Sequence, residues 1–492
     1  MFDKLKRLLK NSAIYTLGSL LSRATSLISM PVLTRYLAPG EYGILSVVAS
    51  VTGSLRFIYA MGMRDSSTRY YYDLDSEGQQ RSYFSSLLFF SIATASLLSF
   101  LLMNFGDRLL GPLLKGEVPF YPYITVALAG LFFQVLGVLP NTLMRVREQA
   151  SLYVTVDLVR AISVTALSIL FVVVSGMGAL GPMLAALVVS ILATGYLLHY
   201  LRPYLSLSFR WAPVRESLYF GIPTMSERLC WWVVTGSNRL FLLHYVSLPA
   251  AGIYFVSYSV GQMLQIIGGS INAAWTPFFY ATARYESEAE ARRIISYAAT
   301  YYTLVIVTFA LALAIFAREV FHILAPVRYL DGLPTVPWIV LGSMLEALYD
   351  IPSRGLYLTK RTRLLPLIML AAAAVTTACN FALIPTWGMI GAAWGTILGY
   401  AVMILLTLVV AQRIYYVPYD YGRIVKIFMA SGAVYVAAFW LSPETLILSV
   451  LVKAVVLASY PVILYLSGFF EAGELKQIGH GVSALLARHV KA

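Results

Sequence analysis

Apolar residues run along this chain in long unbroken blocks, and polar residues gather in short stretches between them. A helix that crosses the hydrocarbon of a bilayer needs roughly 20 mostly apolar residues. The blocks at 12–36, 42–63, 82–103, 120–141, 152–175, 178–200, 214–235, 250–272, 294–317, 334–357, 364–384, 389–411, 424–441 and 446–468 suit that length. They are continuous, whereas a transmembrane barrel shows alternating segments of about ten residues. Backbone groups inside lipid must bond within their own segment, which favours helices. The pattern predicts an all-α polytopic membrane protein with about 14 transmembrane helices.

Composition sharpens this. Only 12% of the 492 residues are charged and mean hydropathy is +0.76, where a soluble domain carries about 25% charged residues. No stretch remains for a soluble catalytic domain. The opening MFDKLKRLLK resembles the start of a signal peptide, but the apolar part that follows is too long and lacks an A-x-A-like cleavage site. It reads as an uncleaved first span with a basic cytoplasmic flank.

Charge sets the orientation. Of the 36 Lys and Arg residues, 24 fall at one set of span ends, six at the other and six inside spans. Cytoplasmic loops carry the excess of Lys and Arg, so both termini are expected in the cytoplasm of an inner (plasma) membrane protein. The same bias accounts for the net charge of +13. The basic residues are spread over many flanks rather than one patch, so no nucleic-acid partner is implied.

Two local matches suggest an internal repeat. RYLAPGEYGILSVVASV at 35–51 parallels HYVSLPAAGIYFVSYSV at 244–260, matching Tyr36 with Tyr245, Gly43 with Gly252 and Ile44 with Ile253. GALGPMLAALVVS at 178–190 parallels GMIGAAWGTILGY at 388–400, matching Gly178 with Gly388 and Gly181 with Gly391. The nearly equal offsets span an even number of helices, so the copies share one orientation. The expected plan is two pseudo-symmetric six-helix lobes, 1–212 and 213–420, related by an axis along the membrane normal. Residues 421–492 then add two helices and a weakly amphipathic, basic cytoplasmic tail.

Charges inside spans carry the sharpest chemical signal. A central Arg costs about 2.5–3.5 kcal/mol on insertion scales, so it tends to have a partner or a wet cavity. Arg160 has Asp157 three residues earlier and Arg354 has Asp350 four residues earlier, spacings that share a helix face. Arg23 and Arg56 have no acid within four residues, and Glu227 next to Arg228 points elsewhere on the helix. Arg23, Arg56 and Arg228 are therefore expected to face a water-filled cationic cavity suited to phosphate, which takes the forked guanidinium well. Tyr15, Ser19, Ser22 and Ser26 on the first span, and Tyr258, Gln262, Gln265 and Asn272 on the eighth, form polar stripes that also suit plain helix packing. Glu227, Asp157 and Asp350 are the acids to consider for coupling to H+ or Na+, with structural pairing the competing role for the two aspartates.

Signatures of enzymes are sparse. There is no G-x-x-x-x-G-K-[ST] motif, the five histidines lack metal spacing, and no catalytic residue, cofactor or metal ligand set is expected. Cys230 and Cys379 lie far apart in apolar runs and read as packing residues. Asp73-Leu74-Asp75 matches the D-x-D of many glycosyltransferases but sits in a short loop.

The segment NSAIYTLGSLLSRATSLISMPVLTRYLAPGEYGIL at 11–45, its echo near 238–258 and G-x-x-G-A-A-x-G at 388–395 resemble the polysaccharide transporters of the MOP superfamily. That group includes Wzx-type oligosaccharide flippases and, more distantly, MurJ-type lipid II flippases and MATE transporters. The resemblance implies translocation of an undecaprenyl-diphosphate-linked oligosaccharide to the outer leaflet by two rocking lobes. It implies a central cationic cavity to which Arg23 and Arg56 contribute. It also implies membrane lipids, and polysaccharide polymerases and glycosyltransferases of the same route, as partners. Relatives often carry Asp-Arg before the second-lobe turn; Asn238-Arg239 stands here. A lipid II flippase differs only in cargo. A MATE-like drug/cation antiporter should carry acids in its cavity, and a glycosyl polymerase or ligase usually needs a large outer loop.

Overall fold

The computed structural model describes the backbone of residues 2–443, 445–471 and 474, and their side chains except those of residues 2–13, 23 and 26. The tail expected at 471–492 lies outside the described residues apart from 471 and 474. Every regular element among the described residues is a helix. The first group comprises α1 (Phe2–Tyr36), α2 (Pro39–Ala60), α3 (Met63–Tyr70), α4 (Glu77–Leu114), α5 (Thr125–Leu136), α6 (Val138–Val146), α7 (Ala150–Ile169) and α8 (Leu180–Leu201). The second comprises α9 (Trp211–Gly236), α10 (Asn238–Tyr245), α11 (Leu248–Tyr285), α12 (Glu288–Ile315), α13 (Ala317–Leu324), α14 (Val336–Leu348), α15 (Asp350–Leu358) and α16 (Leu365–Ile414). Two more, α17 (Tyr421–Trp440) and α18 (Leu446–Leu466), follow.

Among the described residues, ten helices are long and apolar enough to cross a membrane. One of them contains α16, which breaks at Gly388 and so covers the expected blocks at 364–384 and 389–411. The blocks at 214–235 and 334–357 are helical too. Glu227 and Arg228 in the first, and Glu346, Asp350 and Arg354 in the second, lower their hydropathy and keep them out of that ten. Helix starts follow capping chemistry, in which a short polar side chain accepts a free first-turn N–H. Ser76, Ser247, Ser287 and Asp420 do this for α4, α11, α12 and α17.

The repeat motifs occupy corresponding places. Gly178 and Gly388 both take φ of +54°, a left-handed conformation that glycine adopts freely, just ahead of α8 and of the second half of α16. Gly43 of α2 lies against the Leu248 carbonyl, and Gly252 of α11 lies against the Pro39 carbonyl. Each glycine of the matched pair thus meets the helix start of the other copy, the reciprocity expected of a two-fold axis. A Cβ at either position would overlap backbone.

The two groups of helices touch at both ends. At one end Ser46 donates to the Ala251 carbonyl (3.1 Å) and Ser50 to the Gly236 carbonyl (2.6 Å). There Arg328 also donates to the Thr34 and Arg35 carbonyls (2.8 and 2.7 Å), and Tyr329 to the Leu37 carbonyl (2.8 Å). At the arginine-rich opposite end, Tyr83 and Ser217 share a hydrogen bond of 2.8 Å, and Gly62 abuts Gly221.

Helix α18 docks onto the second group through a buried ion pair, and α17 meets α12 where Arg423 donates to Tyr301 (3.3 Å). Lys453 binds both Glu319 oxygens (2.8 and 2.9 Å), and Ser449 donates to the same carboxylate (2.7 Å). Arg423 binds Glu474 (3.0 Å) and stacks over Phe469.

Candidate functional site

Arg56 lies near the arginine-rich end of α2, where Gly53 lets Trp232 of α9 approach. Thr52, Gly53 and Arg56 face Gly130 and Gln134 of α5 and Pro182 of α8 across a cavity of about 330 Å³. Gly130 lets α8 approach α5 at Leu187 beside this space, which stays open to Arg56. The side chain of Arg56 is exposed to this interior, and no acid pairs with it among the described residues. Its charged neighbours Arg228 and Arg160 repel it.

A wider cationic cluster surrounds it. Arg64 at the start of α3 lies within electrostatic reach of Arg145 and Arg228. The Arg145 guanidinium stands over the Tyr153 ring at 5.7 Å, and its Nε is buried with no hydrogen-bond partner. Tyr153 in turn meets Tyr15 edge-on at 5.6 Å. Arg56, Arg64, Arg145, Arg160 and Arg228 thus come from five helices to one region. The Tyr153 face offers Arg145 cation–π stabilisation of about 0.5–2 kcal/mol, and Asp65, Asp157 and Glu227 offset part of the cluster's charge, which leaves an excess of arginines over carboxylates.

The residues singled out from sequence fare differently. The Arg23 side chain lies outside the described residues. Among the described residues no acid pairs with Arg56. Arg228 is paired: its Nε and Nη2 donate to both oxygens of Asp65 (3.0 and 2.9 Å), 163 residues away in sequence. The expectation that it is unpaired is corrected, because the partner comes from the fold and not from its own helix. Asp157 accepts from Ser22 of α1 (2.6 Å) instead of pairing with Arg160 within its helix. Asp350 and Arg354 form the expected ion pair at 3.0 Å, and Arg354 also donates to Asn272 (2.7 Å). Glu227 lies one helical turn from Cys230, within reach of Asp65 and Arg228. Asp73 pairs with Arg69 (2.8 Å) at the surface, as a solvated loop would.

Sequence reasoning missed three groups. Arg64 and Arg145 read as loop charges because both lie next to a span end, yet α3 and the turn of α6 carry them into the cluster. Asp65 was hidden because its own helix offers Arg69 four residues on, a local partner that pairs with Asp73 instead. Glu346, which accepts from Gln265 (2.5 Å), is an acid inside a span that the search for local Arg partners passed over. Among the described residues no group of three His, Cys, Asp or Glu could hold a metal.

Residues 8–283, more than half of the chain, match the family model described as polysaccharide biosynthesis protein. The chain belongs to that family. As a member of that family it is a multi-pass helical membrane protein, as the apolar blocks of the sequence suggested. The lipid II flippase MurJ in an inward closed conformation superposes with a TM-score of 0.73 at 13% identity, covering 92% of this chain and 99% of that one. An inward-facing MATE multidrug transporter of the MOP superfamily gives 0.67 at 16% identity, covering 84% and 96%. At such identities these likenesses concern the fold. A curated relative, an uncharacterized membrane protein of Methanocaldococcus jannaschii, is 26% identical over 179 residues, 36% of this family member. The chain spans about a third of that relative's length.

Proposed function

We propose that the chain is a flippase that moves an undecaprenyl-diphosphate-linked oligosaccharide from the cytoplasmic to the outer leaflet of the inner membrane for cell-surface polysaccharide synthesis. It is a transporter and not an enzyme, and it works by alternating access between lobes 1–212 and 213–420, with 421–492 as an appended pair of helices and tail. The observation that supports this reading most is the arginine cluster around Arg56 beside an open cavity among α2, α5 and α8. A diphosphate carries the charge that the cluster lacks, and guanidinium groups grip two phosphate oxygens at once. The positive sign argues against a cationic cargo. The cavity volume of about 330 Å³ is at the small end for ligand sites. It suits a diphosphate and little more, and it lies wholly among α2, α5 and α8, so the oligosaccharide needs further space opened beside it. In this reading Arg23 joins Arg56 and Arg228 in holding the diphosphate, and both termini are cytoplasmic. H+ or Na+ is the coupling ion, and glycosyltransferases and a polymerase supply and consume the cargo.

The test is reconstitution of the full chain in liposomes with a labelled undecaprenyl-diphosphate oligosaccharide. The reading expects protein-dependent movement between leaflets that excess inorganic pyrophosphate slows. Equal rates in liposomes with and without protein would overturn it.

A further inference from the structure

Arg228 of α9 and Asp65 of α3 tie the two groups of helices together at the arginine-rich end. The contact is bidentate, with Nε and Nη2 at 3.0 and 2.9 Å from the two carboxylate oxygens. Two turns back along α9, Gly221 and Gly62 bring the same helices into backbone contact, and a Cβ on either would overlap the other's backbone. Gly62 has φ of +69°, which turns the chain from α2 into α3 and aims Asp65 at α9. The pair is nonetheless accessible: the Arg228 side chain is 44% exposed and that of Asp65 26%. Arg64 lies beside it, within reach of Arg228 and Arg145.

A carboxylate and a phosphate present the same pair of oxygens to a guanidinium fork. We infer that Asp65 is an internal stand-in for the cargo's phosphate, a carboxylate that occupies Arg228 and latches the two lobes until a diphosphate displaces it. This rests on the reading of the cluster as a diphosphate site. A diphosphate brings more charge than one carboxylate and can engage Arg64 and Arg145 as well, so it outcompetes Asp65. Once Asp65 is displaced, the contact between α3 and α9 loses its only ion pair among the described residues, and the Gly62–Gly221 contact and the Tyr83–Ser217 hydrogen bond are left to hold this end, which weakens it. Anion binding and lobe opening are thereby linked, because a ligand shifts a conformational equilibrium by its differential affinity for the two states.

The experiment uses the full chain in nanodiscs, with Cys230 and Cys379 replaced by serine and spin labels attached at Gly78→Cys on α4 and Ala289→Cys on α12. Both positions are exposed. Inorganic pyrophosphate is the probe, with its affinity measured by calorimetry and the label distance by pulsed electron resonance. Native Asp65 should give a distance that lengthens on pyrophosphate binding. Asp65→Asn should give the longer distance without ligand and bind pyrophosphate about three- to tenfold more tightly, the scale of a partly exposed bidentate pair. Asp65→Glu, which keeps the carboxylate, should behave as native and so controls for folding. If pyrophosphate binds but Asp65→Asn changes neither affinity nor distance, the latch is overturned and the diphosphate site stands. If pyrophosphate binds neither protein, the diphosphate reading falls and the latch with it.

Discussion

Asn238 sits fully buried at the start of α10, where its Nδ2 donates to Thr396 Oγ1 (2.6 Å), the Ala392 carbonyl (3.2 Å) and Tyr254 Oη (3.3 Å). Its own oxygen accepts from Asn380 (2.8 Å). Of these partners the Ala392 carbonyl can only accept, so an ionised aspartate would have no proton to give it, whereas the two hydroxyls could turn to donate. This is a physical reason for Asn where related transporters often carry Asp. Replacing Asn238 by Leu leaves Asn380 and Thr396 without their partner, a cost of about 1–3 kcal/mol. Thermal unfolding in detergent should show a lowered midpoint. Asp350 is expected to act structurally: Asp350→Asn weakens its bond to Arg354, lowering the unfolding midpoint while the ion-gradient dependence of transport stays unchanged. Loss of that dependence in a stable variant would make Asp350 a coupling acid. The Asp350–Arg354 pair was legible because both ends lie on one helical face. The Arg228–Asp65 pair was not, since no periodicity links residues on α9 and α3.

At the scale of elements, the apolar blocks were legible because length and continuity follow from bilayer thickness. The interruptions were not. The breaks at Ser237 between α9 and α10 and at Tyr349 between α14 and α15 fall beside Gly236 and three residues before Pro352, local signals that block length and continuity do not register. The docking of α18 was also hidden, because Lys453 has no acid nearby in sequence. Its partner Glu319, on α13, is buried, which alone would raise the pKa of its carboxyl. Hydrogen bonds from Lys453 and Ser449 outweigh that and hold the carboxyl below its ordinary value. A group with a depressed folded pKa stabilises the fold above its unfolded pKa, about 4.3 for Glu, and loses that contribution as pH falls through the folded value. The attachment of α18 should therefore weaken only below about pH 4.3. Glu319→Gln should lower the unfolding midpoint at neutral pH and flatten this acid-side dependence. An unchanged midpoint at pH 7 would show that the pair contributes nothing.

At the scale of the molecule, the doubled plan was legible from two short matches, because each marks a place where glycine is required. Gly43 and Gly252 sit where α2 and α11 cross, and Gly178 and Gly388 turn the chain with positive φ. The cluster was only half legible: Arg56 stood out, whereas Arg64 and Arg145 were masked by the charge bias that sets orientation. That bias also makes a direct prediction. In a cysteine-free background, an impermeant thiol reagent added to intact cells should label Ser442→Cys and spare Ser76→Cys; the reverse pattern would invert the topology. The central claim is that Arg56 in the cavity, with the arginines beside it, holds a diphosphate as it crosses the membrane. Its most direct measurement is the leaflet-exchange rate of undecaprenyl-diphosphate oligosaccharide in liposomes holding equal amounts of folded native protein, Arg56→Ala or Arg56→Lys. The account predicts loss of flipping for Arg56→Ala by at least about tenfold, as when a charge-assisted bond of about 1.5–3 kcal/mol is removed, and partial activity for Arg56→Lys. Native rates for folded Arg56→Ala would contradict it.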